Sequence, residues 1–437
     1  MQSAPKSSCN STPLAPRQQY IAEETQQHEQ VELKSGVLDA NQAGARLAEV
    51  PRHTENGSTI TCCGKTLMEN ALCQGTTLLV PYGALISNAG FSPRGLIFWP
   101  LPWELDFPRP LYKQSMKPAS QPVAPEDIAH LWRVVAERTT DPRAGIFGPS
   151  SVSWKINRES ALFLGAGRAA LLQLAHPWVA AALDHHSNLR RNPLARFHNT
   201  FRIVFTMIFG TLDQALAASR HVYHLHTRVQ GEMPETVAAY QKGSLYQANE
   251  INALAWVYAT LIESAVLAYD SVLPPLTGDE REAYYAESKI LAALFGIPSS
   301  ALPAEWIAFE AYTREMLASE LLGVNSLSRE MAHRILRGDN TWVPVPAWYR
   351  ALTIASLPAR FHTEFSLAYG NREAAVATRA RRWLPRIYRR LPAALRFVGP
   401  YQEATRRLSG RCINATTRLS NRFWMGQPRM MFAPPGE

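Results

Sequence analysis

The chain has 437 residues, of which 46% are hydrophobic and 19% charged, and it carries a formal net charge of +9. That balance suits one large globular domain or two smaller ones, with a core big enough to need neither zinc nor disulfides. It excludes a cysteine-stapled framework, because Cys9, Cys62, Cys63, Cys73 and Cys412 show no paired spacing.

Residues 1–90 are rich in Ser, Thr, Gln and Asn and lack helical periodicity, so they read as a flexible leader. The opening residues have no charged start followed by an apolar run, and so no signal peptide is expected. Residues 91–124, with the proline-broken aromatic segment Gly95–Trp103, read as an extended strap and linker. From 125 to 370 the texture is helical, and 371–437 form a basic helical extension. The longest apolar stretch, Leu254–Tyr269, is 16 residues with Glu263 near its middle, too short and too polar to span a bilayer. An intracellular protein, cytoplasmic or peripherally attached to membranes, is the expectation.

Helical spacing predicts Asp127–Thr139, then a central helix over Glu159–Ala175 that is apolar on nearly all sides. Leu194–Phe209 and Leu212–Gln230 follow, the second with Gly231 as its stop, and then Ile251–Ser271. Thr277 and Glu280 form a capping box for a helix to Phe295. Pro303 is expected to open Ala304–Leu322, and Ser328–Arg337 and Pro346–Leu357 come next. No strand pattern of any length is evident. The fold class is therefore all-α.

Seven of the twelve histidines fall between His176 and His226. Within Leu212–Gln230, His226 shares a face with Leu212, Ala215, Leu216, Ser219, Val222, Tyr223 and Val229, whereas His221, His224 and Gln214 lie on the other. A core-facing imidazole needs a hydrogen-bond partner or a metal to justify its burial. His176 precedes Pro177 at a helix end, where it serves as a C-terminal cap or as a ligand. His185 and His186 fit a polar loop. Arg196 and Thr200 are four residues apart and share one helix face, either as a surface pair or aimed together at a cofactor. Glu263 lies in an apolar helix, so it is a candidate acid or base or else the partner of a buried arginine such as Arg168.

The C-terminal charge is concentrated. Between Arg372 and Arg411 there are eleven arginines against Glu373 and Glu403. Such a segment, with aromatic and aliphatic residues interleaved, is either a solvated arginine face or a contact for an acidic membrane surface. Nucleic acid is not an expected partner, since no recognised binding module accompanies the charge.

Taken together, Gly148–Trp154, Arg168–Pro177, Arg196-x-x-x-Thr200, Gly210-Thr211, His226-x-x-Val229-x-Gly231, Trp256-Val257 and Tyr284-Tyr285-x-Glu287 resemble a known family. It contains the mycophenolic-acid-pathway oxygenase and the bacterial rubber oxygenase (latex-clearing protein). The resemblance runs from about Phe147 to Leu322 and more weakly to Phe361. It implies a globin-like helical bundle around haem b, with an iron-ligating histidine that aligns with His226. It also implies haem-pocket positions at Arg196 and Thr200, and cleavage of isoprenoid C=C bonds with dioxygen. Arg168 and His176 fall in its motifs and join the candidate cofactor contacts. Two positions depart from the family pattern: Tyr258 stands where many relatives have histidine, and Asn199 where rubber oxygenase has lysine.

The expectation is a haem-dependent oxygenase acting with dioxygen on an apolar, unsaturated small molecule, with Glu263 or Tyr258 as distal catalytic groups. Its rivals are a non-haem metal oxidoreductase built on the histidine cluster and a haem-free helical scaffold.

Overall fold

The computed structural model describes residues 121–187, 193–339 and 345–432. The leader and nearly all of the strap and linker lie outside them. Within the described residues the chain is all-α, with sixteen α-helices and one two-stranded hairpin.

In chain order the helices begin with α1 (Pro125–Arg138), α2 (Val152–Asn157), α3 (Phe163–Leu174), α4 (Pro177–His186), α5 (Pro193–Phe209) and α6 (Leu212–His226). Strands β1 (Gln230–Glu232) and β2 (Leu245–Gln247) pair antiparallel, with Gly231 opposite Tyr246. Then come α7 (Ile251–Asp270), α8 (Gly278–Leu294), α9 (Trp306–Ala318), α10 (Ser326–Arg337), α11 (Ala347–Ala355) and α12 (Ala359–Glu364). The last four are α13 (Asn371–Tyr388), α14 (Ala393–Arg396), α15 (Gly399–Leu408) and α16 (Ala415–Met425).

The predicted central helix is central but interrupted. A single 3-10 turn at Ser160–Leu162 precedes α3, whose Gly165, Gly167, Arg168, Ala169, Leu171, Leu172 and Leu174 are buried. Its main partner is α7, the most apolar of the described helices. The two approach so closely that a Cβ on Gly165 would overlap the backbone of Ser264, so only glycine fits there. Although α7 has the length and composition of a membrane span, two thirds of its most apolar window is buried inside the protein.

One apolar core surrounds α3, α7 and α8 and takes in Trp306, Phe309, Phe361 and Phe365. A second joins Trp154 of α2 to Phe205, Phe209, Leu212, Ala215 and Val222 of α5 and α6, with Trp424 and Met425 of α16. A small third cluster packs Trp178 and Ala181 of α4 against Met233, Tyr240 and Tyr246. The C-terminal extension is bound to this body. Arg396 grips buried Glu159 with two nitrogens at 2.7 and 2.8 Å, and the Tyr388 hydroxyl donates to the same carboxylate at 2.9 Å.

Five features differ from the sequence reading. Helix α6 ends at His226, because the chain turns at Thr227 and enters β1. Gly231 is therefore a strand residue and not a stop signal, and the Tyr246 ring lies against it where a side chain would stand. Gln214 is buried, contrary to the expected face, since it closes a capping box with Thr211 and donates to the Met431 carbonyl at 3.0 Å. Helix α9 begins at Trp306 and ends at Ala318, leaving Pro303 outside it; the Pro303 carbonyl instead accepts from the Tyr285 hydroxyl at 2.8 Å. Cys412 is disulfide-bonded, a pairing the cysteine spacing did not signal.

Candidate functional site

Thr211 caps α6 with its hydroxyl, and the inner face of the helix is anchored by Ser219. That hydroxyl accepts from the Trp132 indole at 2.6 Å and donates to the Leu294 carbonyl. This register leaves His221 and His224 exposed and turns His226 inward at the last turn. Helix α5 packs beside α6 and is secured on its other side by aromatic contacts: Phe197–Phe201 at 4.4 Å, Phe163–Phe197 at 5.5 Å and Phe201–Trp424 at 6.3 Å.

His226 and Arg196 are brought together by these two helices. Burial first, and then the positive charge of Arg196, push the His226 imidazole down to about 4, so it is neutral at physiological pH. Arg196 is desolvated as well, which lowers its own pKa. Yet His226 keeps some accessible surface and Arg196 more than a third of its own. Among the described residues the His226 ring makes no hydrogen bond and the Arg196 guanidinium no ion pair. The exposed Arg196 guanidinium is open to an anion, and a neutral imidazole with an unengaged nitrogen could hold a metal.

Thr200 sits on the same face of α5, as its spacing suggested, but its hydroxyl donates to the Arg196 carbonyl at 3.0 Å. It thus serves its own helix and keeps only acceptor capacity for a ligand. Asn199 is exposed.

The other candidates are engaged elsewhere. Arg168 donates to the Ser356 carbonyl and the Ser264 hydroxyl, each at 3.0 Å, and pairs with Glu263 at 2.8 Å. It fastens α3 to α7 and to the end of α11. Glu263 is accordingly the partner of a buried arginine. Tyr258 is buried and lies 2.5 Å from the Ser288 hydroxyl, whose own proton goes to the Tyr285 carbonyl; Tyr258 therefore donates to Ser288 and ties α7 to α8. Burial raises its pKa.

His176 caps no helix with its side chain. Its ring is buried with Nε2 3.2 Å from the Tyr240 hydroxyl, while Nδ1 has no partner. Burial lowers it to about 4. Tyr240 comes from the segment between β1 and β2 and has no periodic pattern to reveal it. His185 and His186 belong to the last turn of α4, where His185 meets the Tyr246 hydroxyl at 2.7 Å and His186 the Gln230 carbonyl at 3.0 Å. His198 meets the Phe423 carbonyl at 3.1 Å. The seven histidines thus disperse, and among the described residues no three His, Cys, Asp or Glu side chains converge as a metal site would require.

Other motifs acquire structural roles that spacing alone did not assign. Glu287 accepts from the backbone N–H groups of Val152 at 3.1 Å and Ser153 at 2.6 Å, holding the first turn of α2 and hence Trp154. The Trp154 indole donates to the Ile208 carbonyl at 3.0 Å, and Trp256 to that of Leu172 at 3.0 Å. These bonds set the relative positions of α2, α3, α5 and α7.

Residues 154–407 match the family described as ER-bound oxygenase mpaB/B'/Rubber oxygenase, catalytic domain. The chain belongs to this oxygenase family. The match takes in α5 and α6 with Arg196 and His226, and it extends beyond the segment whose motifs announced it, through α13 and into α15. No curated protein and no solved structure matches the chain.

Proposed function

We propose that this oxygenase-family protein is a haem-dependent oxygenase that takes an apolar, unsaturated small molecule of isoprenoid or polyketide type. The reading rests on one observation above all: a neutral imidazole and a cation, both without protein partners among the described residues, lie close enough to interact in a fold of an oxygenase family. His226 would hold the iron of haem b, for which a deprotonated ring nitrogen is required. Arg196 would take a propionate through a charge-assisted hydrogen bond.

Bound there, haem would supply the binding and activation of dioxygen, chemistry that no side chain provides. The protein contributes the rest. Phe163, Phe197 and Phe201 give α5 an apolar flank, suited to a substrate without charge. Glu263 stays paired with Arg168 and Tyr258 with Ser288, so both act in our reading by fixing α7 and not by moving a proton. Oxidative C=C cleavage would place one oxygen atom of dioxygen on each carbon, giving two carbonyl groups with no external reductant.

The test is direct. Purified protein reconstituted with haem is incubated with a polyisoprenoid alkene, while oxygen uptake and carbonyl products are followed. Carbonyl products in step with oxygen consumption support the reading; a protein that takes up no haem contradicts it.

A further inference from the structure

Helix α13 divides into two unlike sides. Ala377, Ala380 and Tyr388 are buried, and Leu384 packs against the core, where the helix lies on α11. On the opposite side Arg372, Arg379, Arg382, Arg386 and Arg389 are exposed. Their separations of seven, three, four and three residues carry them along one helical stripe. Glu373 is spent at the start of the helix, where it accepts from the Gly370 N–H at 3.0 Å. None of Arg379, Arg382, Arg386 and Arg389 forms an ion pair among the described residues; Arg379, Arg386 and Arg389 donate only to carbonyls of α13 itself. Like charges three and four residues apart oppose helix formation, so the stripe is held against its own repulsion.

Apolar groups stand beside its C-terminal end. Ile387 is 45% and Leu395 60% exposed. Leu395 is kept near α13 because the Tyr388 hydroxyl meets the Arg396 carbonyl at 3.3 Å. A row of cations with exposed aliphatic side chains at one end, in which Arg379, Arg382, Arg386 and Arg389 have no ion pair among the described residues, complements a surface of fixed negative charge over hydrocarbon. Duplex nucleic acid offers charge but nothing for Ile387 and Leu395.

We propose that the arginine face of α13, with Ile387 and Leu395, docks the protein on an anionic lipid bilayer. Apolar substrates of the class proposed above partition into bilayers, so the contact suits that reading, but the docking itself does not depend on haem or turnover.

The full-length protein is floated with phosphatidylcholine vesicles, with and without phosphatidylserine, at about 0.1 M and about 1 M salt, between which the screening length falls from about 10 to about 3 Å. Binding is expected only to phosphatidylserine-containing vesicles and only at the lower salt. Near such a surface each arginine contributes about fivefold, so R382Q/R386Q/R389Q should weaken binding on the order of a hundredfold. A surface-charge control, R133Q/R138Q, alters two exposed arginines of α1, a helix that packs on α8, and should bind as the parent does. I387S/L395S should weaken binding without removing its salt dependence. Absence of wild-type binding at low salt, equal binding to neutral vesicles, or unchanged binding of R382Q/R386Q/R389Q would each overturn the proposal. Binding to duplex DNA with none to vesicles would overturn it too and assign the face to nucleic acid.

Discussion

Arg196 of α5 lies close enough to His226 of α6 for the charge of the first to help keep the second unprotonated. Burial is the larger cause and Arg196 the smaller. In Arg196→Gln the His226 ionisation should therefore rise from about 4 while staying below its ordinary value, as read by NMR titration of the haem-free protein. Haem affinity should fall about tenfold to a hundredfold, the equivalent of one charge-assisted contact worth about 1.5–3 kcal/mol. Unchanged ionisation together with unchanged affinity would separate the two residues.

Glu263 and Arg168 form a pair in which the arginine is the more deeply buried, with side-chain exposures of 22% and 5%. Removing the carboxylate leaves a cation in the core, so Glu263→Gln should cost about 3 kcal/mol of stability in urea denaturation. Turnover per folded, haem-loaded molecule should stay near the parent value. A variant of parental stability that loses turnover would instead make Glu263 a proton-transfer group.

The sequence showed the all-α class, the capping box at Thr277 and the inward turn of His226, because each rests on a local pattern of spacing and capping. For Glu263 it left two roles open, acid or base and partner of a buried arginine such as Arg168, and the structure shows the second. What escaped it depends on contacts between distant segments. The ring of Tyr246 on Gly231 explains a glycine that local rules read as a helix stop. Tyr240 reaches His176 across 64 residues, which no periodicity can reveal. Gln214 looked solvated because its acceptor, the Met431 carbonyl, comes from the far end of the chain.

His176 carries a pH dependence of definite sign. Its folded-state value, about 4, lies below the ordinary 6.5. As pH falls from above 6.5 toward 4, the unfolded chain therefore takes up a proton that the folded protein refuses, and stability is lost. Over that window the loss amounts to about 3 kcal/mol. His176→Gln can still meet Tyr240 but cannot titrate. It should lose about 2–3 kcal/mol less than the parent between pH 7 and pH 4.5, measured by urea denaturation at both. Parallel losses in the two proteins would show that His176 is protonated in the fold.

The most direct test of the account is the visible absorption spectrum of His226→Ala, purified beside the parent and His221→Ala and reconstituted with haem. His221 is exposed on the same helix, so His221→Ala controls for any general effect of losing an imidazole from α6. The account predicts a Soret band in the parent and in His221→Ala, and loss of most of it in His226→Ala while helical circular dichroism is retained. A folded His226→Ala with a parental Soret band would contradict it.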